Sequence, residues 1–168
     1  MWAHEYFSIK PDIIAFGKKT QVCGMLAGNK IYETENNVFK ESSRINSTFG
    51  GNLVDMYRFK LILEVIDDEN LINNASIVGE YLLNELKNLC DDFPGYCTNP
   101  RGKGLFCAFD LPSTIERDRL ISILLNKKMI ILGSGDNSIR FRPHLNVSTS
   151  EILKAINLIH SSIKDMLN

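Results

Sequence analysis

The chain has 168 residues, 44% of them hydrophobic and 23% charged, with a formal net charge of −1. That is the make-up of a soluble globular protein of one domain or slightly more, and the near-neutral balance argues against nucleic acid or a membrane surface as a partner. Four scattered cysteines (Cys23, Cys90, Cys97 and Cys107) without a C-x-x-C pair, and three histidines, form no metal constellation, so reduced thiols in a cytoplasmic protein are expected.

The opening MWAHEYFSIK lacks the plan of a secretion signal. It sets Trp2, Tyr6 and Phe7 ahead of any element that could pack them, as if the chain entered a fold midway. Residues 13–16 form a short apolar run between Pro11-Asp12 and Gly17, the pattern of a buried strand. A second run, 22–27, is broken by Gly24 and closed by Gly28-Asn29, so a hairpin or a pair of neighbouring strands is expected. Residues 29–50 are polar and irregular. From there Leu53, Met56, Tyr57, Leu61 and Val65 recur at helical spacing, to about Asp67. Leu71, Ala75, Val78, Leu82, Leu86 and Leu89 mark a second amphipathic helix, ended by Pro94-Gly95. Paired glycines in Arg101-Gly102-Lys103-Gly104 turn the chain into a strand over 104–111. Ser113-x-x-Glu116 has the form of a capping box and announces a helix to about Asn126. A strand over 129–132 and the turn 133–137 lead to a strand over 138–142, where Ile139 and Phe141 alternate with Arg140 and Arg142. Ser148-x-x-Glu151 is a second capping box, opening a helix with Ile152, Ile156, Ile159 and Ile163 on one face. The order helix, helix, strand, helix, strand, strand, helix implies an α+β layer, with helices against one face of a small sheet.

Three places stand out chemically. Lys18 and Lys19 follow an apolar strand and a glycine. A solvated strand end is the ordinary reading of such a pair. The functional alternative is a Schiff-base lysine, which needs a mounting near a carbonyl and a proton that leaves easily. Arg140 belongs either to a solvated strand face or to a carboxylate clamp, because a guanidinium matches a carboxylate in a planar fork. Asn46-Ser47-Thr48, just before Phe49-Gly50-Gly51-Asn52, is either a helix cap and turn or a set of hydroxyls and N–H groups suited to a phosphate.

The segments PDIIAFGKKTQVCG, SRINSTFGGNLVDM, RGKGLFCAFDLP and SIRFRPHLNVS together resemble the class III, fold type I, pyridoxal-phosphate aminotransferases. The resemblance runs over almost the whole chain in one register. GKKTQVCG and SRINSTFGGN favour the members that act on L-lysine over those acting on ornithine or 4-aminobutyrate. The resemblance implies an α/β fold: residues 1–58 as the end of the cofactor-binding large domain, and 59–168 as the complete small C-terminal α+β domain. It implies pyridoxal 5′-phosphate as cofactor, with Lys18 bonded to it and serving as proton carrier. It makes Thr48, with Ser47, a contact to the cofactor phosphate of a neighbouring subunit, and Arg140 the grip on the α-carboxylate of 2-oxoglutarate or glutamate. His144 stands where relatives often carry proline.

The family's aspartate for the pyridinium nitrogen, its own-phosphate loop, its ring-stacking aromatic and its arginine for the lysine substrate are not found in these residues. The expectation is therefore a C-terminal part of such an enzyme, inactive alone, working as a homodimer or with a separately encoded N-terminal half. The alternative is a non-catalytic α+β remnant. Without sheet partners, the first fifty residues are expected to leave apolar strand edges unpaired.

Overall fold

A computed structural model describes residues 1–168 except Asn46, Ser47 and Phe49. The chain divides into two compact units, Met1–Glu69 and Asn70–Asn168.

In the first unit a single helical turn, α1 (Ala3–Tyr6), precedes strands β1 (Ile13–Phe16) and β2 (Gly24–Ala27). The strands pair antiparallel, Ile13 opposite Ala27 and Phe16 opposite Gly24. The hairpin expected from the two apolar runs is thus formed. Gly24 is required by it, since a Cβ there would lie 2.3 Å from the Phe16 ring. That ring sits 6.1 Å from the rings of both Trp2 and Phe59, so Trp2 does find a packing partner. Tyr6 and Phe7 remain exposed. A 3-10 turn over Asn29–Glu33 interrupts the stretch read as irregular. Helix α2 (Leu53–Asp68) is capped by Asn52, whose Oδ1 accepts from the Val54 and Asp55 amides. The helix has the expected extent but buries none of its residues. Among the described residues of this unit the buried one is Asn37, held by bonds from its Nδ2 to the Ile31 and Thr34 carbonyls and from the Phe39 amide to its Oδ1.

The second unit has the expected α+β layering. Its elements are α3 (Leu71–Asp92), β3 (Thr98–Lys103), β4 (Phe106–Asp110), α4 (Thr114–Asn126), β5 (Leu132–Ser134), β6 (Ser138–Phe141) and α5 (Thr149–Leu167). The four strands form an antiparallel sheet in the order β3-β4-β6-β5. Alternation along β4 and β6 sends Cys107, Phe109, Ile139 and Phe141 into the core. They meet Leu82, Leu86 and Leu89 of α3, Leu120 and Leu124 of α4, and Ile152, Ile156, Ile159 and Ile163 of α5. On α3 and α5 these are the helix positions that the three-and-four spacing marks. The opposite, more open face of the sheet carries Ala108, Asp110 and Arg140, each half-buried.

Two strands differ from expectation. β3 carries no apolar alternation, and the glycines at its end predict only a turn; it is an edge strand beside β4, with an irregularity between Thr98 and Arg101. The apolar run 129–132 is not itself the strand. β5 starts at Leu132 and ends at Ser134, pairing with β6 at Arg140, Ile139 and Ser138. Gly104 (φ 53°) makes the β3–β4 turn directly under α3: a Cβ on Gly79 would lie 2.2 Å from the Gly104 carbonyl carbon.

Candidate active site

β1 delivers the chain to Gly17 in an extended conformation, and Lys18 then takes φ 59° to start one 3-10 turn. Gln21 closes that turn at φ 63°. Two non-glycine residues in the left-handed region within four positions store strain, which the surrounding loop must hold. The hydroxyl of Thr20 helps, donating to the Val22 carbonyl at 2.7 Å. Lys18 and Lys19 are both exposed, and neither amine has a hydrogen-bond or ion-pair partner among the described residues. A hollow of about 480 Å³ lies alongside, lined by Trp2, His4, Phe16, Gly17 and Thr20 among others.

Thr48 is exposed and borders an open hollow of about 370 Å³ with Gly50, Gly51 and Asn52, at the start of α2. Asn52 already serves two of the amides at that helix end, at 3.0 and 3.4 Å. Ser47 lies outside the described residues.

Arg140 projects from the open face of the second unit's sheet and is half-buried, while Arg142 is exposed. It borders two cavities. One, of about 400 Å³, is lined by Arg101, Lys103, Phe106, Ser134 and Ser138. The other, of about 300 Å³, is mostly apolar, with Met129, Ile131, Phe141, Pro143 and Ile152. Arg140 Nε is the one buried side-chain nitrogen or oxygen without a hydrogen-bond partner among the described residues. A buried guanidinium N–H left unpaired is costly, and a carboxylate is the partner its fork fits. In the loop that follows toward α5, His144 Nδ1 lies 2.7 Å from Asn146 Oδ1.

Beside Arg140 is a polar cluster that the motif reading did not single out. The Asp110 carboxylate accepts from Ser138 Oγ at 2.6 Å, Asn99 Nδ2 at 2.9 Å and Arg101 Nη1 at 2.9 Å. Burial raises the Asp110 pKa, but the bonds from Ser138, Asn99 and Arg101 outweigh it and hold the carboxyl below its ordinary value. Alternation along residues 104–111 would have put Asp110 on the open face; its partner Arg101 lay in the segment read as a turn.

Lys18 and Thr48 thus belong to the first unit and Arg140 to the second. Cys97 and Cys107 are buried, and burial pushes their thiols up to about 12 and about 11, so neither is a nucleophile at neutral pH. A free primary amine on a strained strand end and an exposed hydroxyl beside a helix start fit a cofactor carrying an aldehyde and a phosphate. No group of side chains suited to a metal occurs among the described residues.

Residues 1–163 match the family model for aminotransferase class-III, and the chain belongs to that family. It carries part of the family's fold, its helices and antiparallel sheets matching the solved aminotransferases. Among curated relatives, the L-lysine-epsilon aminotransferase of Mycobacterium tuberculosis is 50% identical over 162 residues, 96% of this chain and 36% of the relative. That of Amycolatopsis lactamdurans is 44% identical over 163 residues, and the 4-aminobutyrate aminotransferase of Dictyostelium discoideum 34% over 167. The solved lysine aminotransferase from M. tuberculosis in its internal aldimine form superposes with a TM-score of 0.93 at 50% identity, over 97% of this chain and 38% of that one. The chain therefore spans about a third of the length of the relatives it matches.

Proposed function

We propose that this chain forms part of a pyridoxal-phosphate aminotransferase of the cytoplasm that moves the ε-amino group of L-lysine to 2-oxoglutarate, yielding 2-aminoadipate 6-semialdehyde and glutamate. The choice of L-lysine follows the relatives most similar in sequence, which are named for it. Pyridoxal phosphate, when bound, supplies an aldehyde and a ring that withdraws electrons from the substrate carbon.

This chain's residues do the rest. Lys18 Nζ holds the cofactor. When its amine is free, the same nitrogen would carry the proton that leaves the substrate carbon. Transfer of this kind needs the amine neutral. Arg140 grips the keto acid's α-carboxylate through its planar fork. Thr48 and Ser47 offer hydroxyls to the cofactor phosphate of a neighbouring subunit, which makes the working unit a dimer.

The observation that carries this reading is the Lys18 amine, exposed and without a partner among the described residues, on the left-handed turn that follows β1. Borohydride reduction of the chain with pyridoxal phosphate, followed by digestion, is expected to leave the label on the peptide containing Lys18. The Lys18→Ala variant is expected to lose it. Label only at other lysines, unchanged by Lys18→Ala, overturns the assignment. The substrate is tested by supplying the preceding part of the family fold as a second polypeptide and measuring glutamate from 2-oxoglutarate. L-Lysine is expected to outrun L-ornithine and 4-aminobutyrate.

A further inference from the structure

Two guanidinium groups share the open face of the four-stranded sheet. Arg101 of β3 is registered with Ala108 of β4, and Ala108 with Arg140 of β6. The arginines therefore flank one methyl group in a single row. One row along, Asp110 is registered with Ser138, two residues before Arg140 on the same strand. Asp110 is thus the diagonal neighbour of Arg140, at a separation that a long side chain spans.

A carboxylate so placed is a natural partner for Arg140, yet it does not hold it. Asp110 Oδ1 takes Arg101 Nη1 at 2.9 Å and Ser138 Oγ at 2.6 Å, and Oδ2 takes Asn99 Nδ2 at 2.9 Å. Arg101 Nη2 closes the ring by donating to Ser138 Oγ at 2.9 Å. Arg140 Nε stays buried and unpaired beside this cluster. A cationic donor left unpaired near a carboxylate persists only if that carboxylate is already engaged. The Arg101 and Asp110 charges offset each other. The charge of Arg140 is left facing the cavity of about 400 Å³ that it shares with Arg101, Lys103, Ser134 and Ser138.

We propose that Arg101 is a positioning residue: by occupying Asp110 it prevents that carboxylate from capturing Arg140, and so keeps Arg140 available to an anionic ligand. The role of Arg140 as the carboxylate grip is the one proposed above; the restraint of Asp110 by Arg101 is separate from it and is tested separately.

The test uses the full chain labelled with 15N-arginine, and follows the side-chain Nε–Hε signal of Arg140. Without any ligand, R101Q is expected to shift that signal and slow its exchange with water, as Asp110 turns to Arg140. The double variant R101Q/D110N is expected to restore the wild-type signal. No shift in R101Q overturns the proposal. Glutarate is then titrated as a carboxylate probe. R101Q is expected to bind it about tenfold more weakly, with recovery in the double variant and no loss in D110N alone. A purely structural role predicts loss in R101Q, D110N and the double variant alike, and that pattern also overturns the proposal. R140Q reports on the underlying reading: equal glutarate binding by wild type and R140Q removes the carboxylate grip, while the ligand-free signal still decides the role of Arg101.

Discussion

A carboxylate that accepts from a serine, an asparagine and an arginine is stabilised in its charged form, and this gives Asp110 a measurable signature. Its native pKa lies below the ordinary value, although burial pushes the other way. The unfolded chain binds the proton first. The stability that Asp110 contributes is therefore full above the unfolded value of about 4 and is lost as pH falls through the lower native one. Denaturant unfolding at neutral pH and at successively lower pH is expected to show this acid-side loss. Asp110→Asn is expected to be less stable at neutral pH and to show a shallower decline on acidification. An unchanged slope in the variant would mean that the hydrogen bonds to Asp110 do not persist in solution. At Arg140 the expected effect is on ligand binding. Replacing it with Gln removes a charged fork, and the KM for 2-oxoglutarate in the completed enzyme is expected to rise at least about tenfold.

Among the elements, the helices were the most legible in the sequence, because packing in the second unit follows the same periodicity that the residues display. Leu82, Leu86, Ile159 and Ile163 are fully buried where the spacing puts them. The α5 capping box is complete: the Ser148 hydroxyl meets the Glu151 amide, and Glu151 reaches back to the Ser148 amide at 2.8 Å. In α4 only the serine half follows the pattern. The Glu116 carboxylate instead accepts from the Tyr96 hydroxyl at 2.6 Å, tying the helix to the segment before β3. That competitor comes from twenty residues away, so no local motif could reveal it. The edge strand β3 was equally hidden, since Thr98, Asn99, Pro100 and Arg101 show no alternation and the strand is defined by its pairing with β4. β5 was displaced for a related reason: pairing with β6 begins at Leu132, whatever the hydrophobicity of the residues ahead of it. Ser148→Ala is expected to cost about 1 kcal/mol and Leu82→Ala about 2–5 kcal/mol, measured by denaturant midpoints at constant m-value.

At the scale of the whole molecule, the two units differ in how they are held. Burying apolar side chains is the main favourable term in folding, and it acts almost wholly in Asn70–Asn168. Among the described residues of Met1–Glu69 no apolar side chain is buried; Ile13 of β1 is 52% exposed and Tyr57 of α2 is 62% exposed. A two-stranded sheet without a covered face is marginal by itself. Lys18 is mounted on that sheet, so the proposed proton carrier rests on the less secured part of the chain, and Arg140 on the better secured part. Hydrogen exchange should separate them. In the isolated chain the amides of Ile13–Phe16 are expected to exchange quickly. Those of Phe106–Asp110, Ser138–Phe141 and Leu71–Asp92 should persist longest, up to the global unfolding free energy of the second unit. Residues 70–168 expressed alone should then retain one cooperative thermal transition, because their core closes within their own elements. Strong protection of Ile13–Phe16 in a monomer would mean that β1 is covered from both sides by this chain itself, and Lys18 would no longer stand on an unsupported strand end. Protection that appears only when the preceding part of the family fold is supplied would place the ordering of Lys18 in the assembly step, and predicts that cofactor attachment and β1 protection rise together.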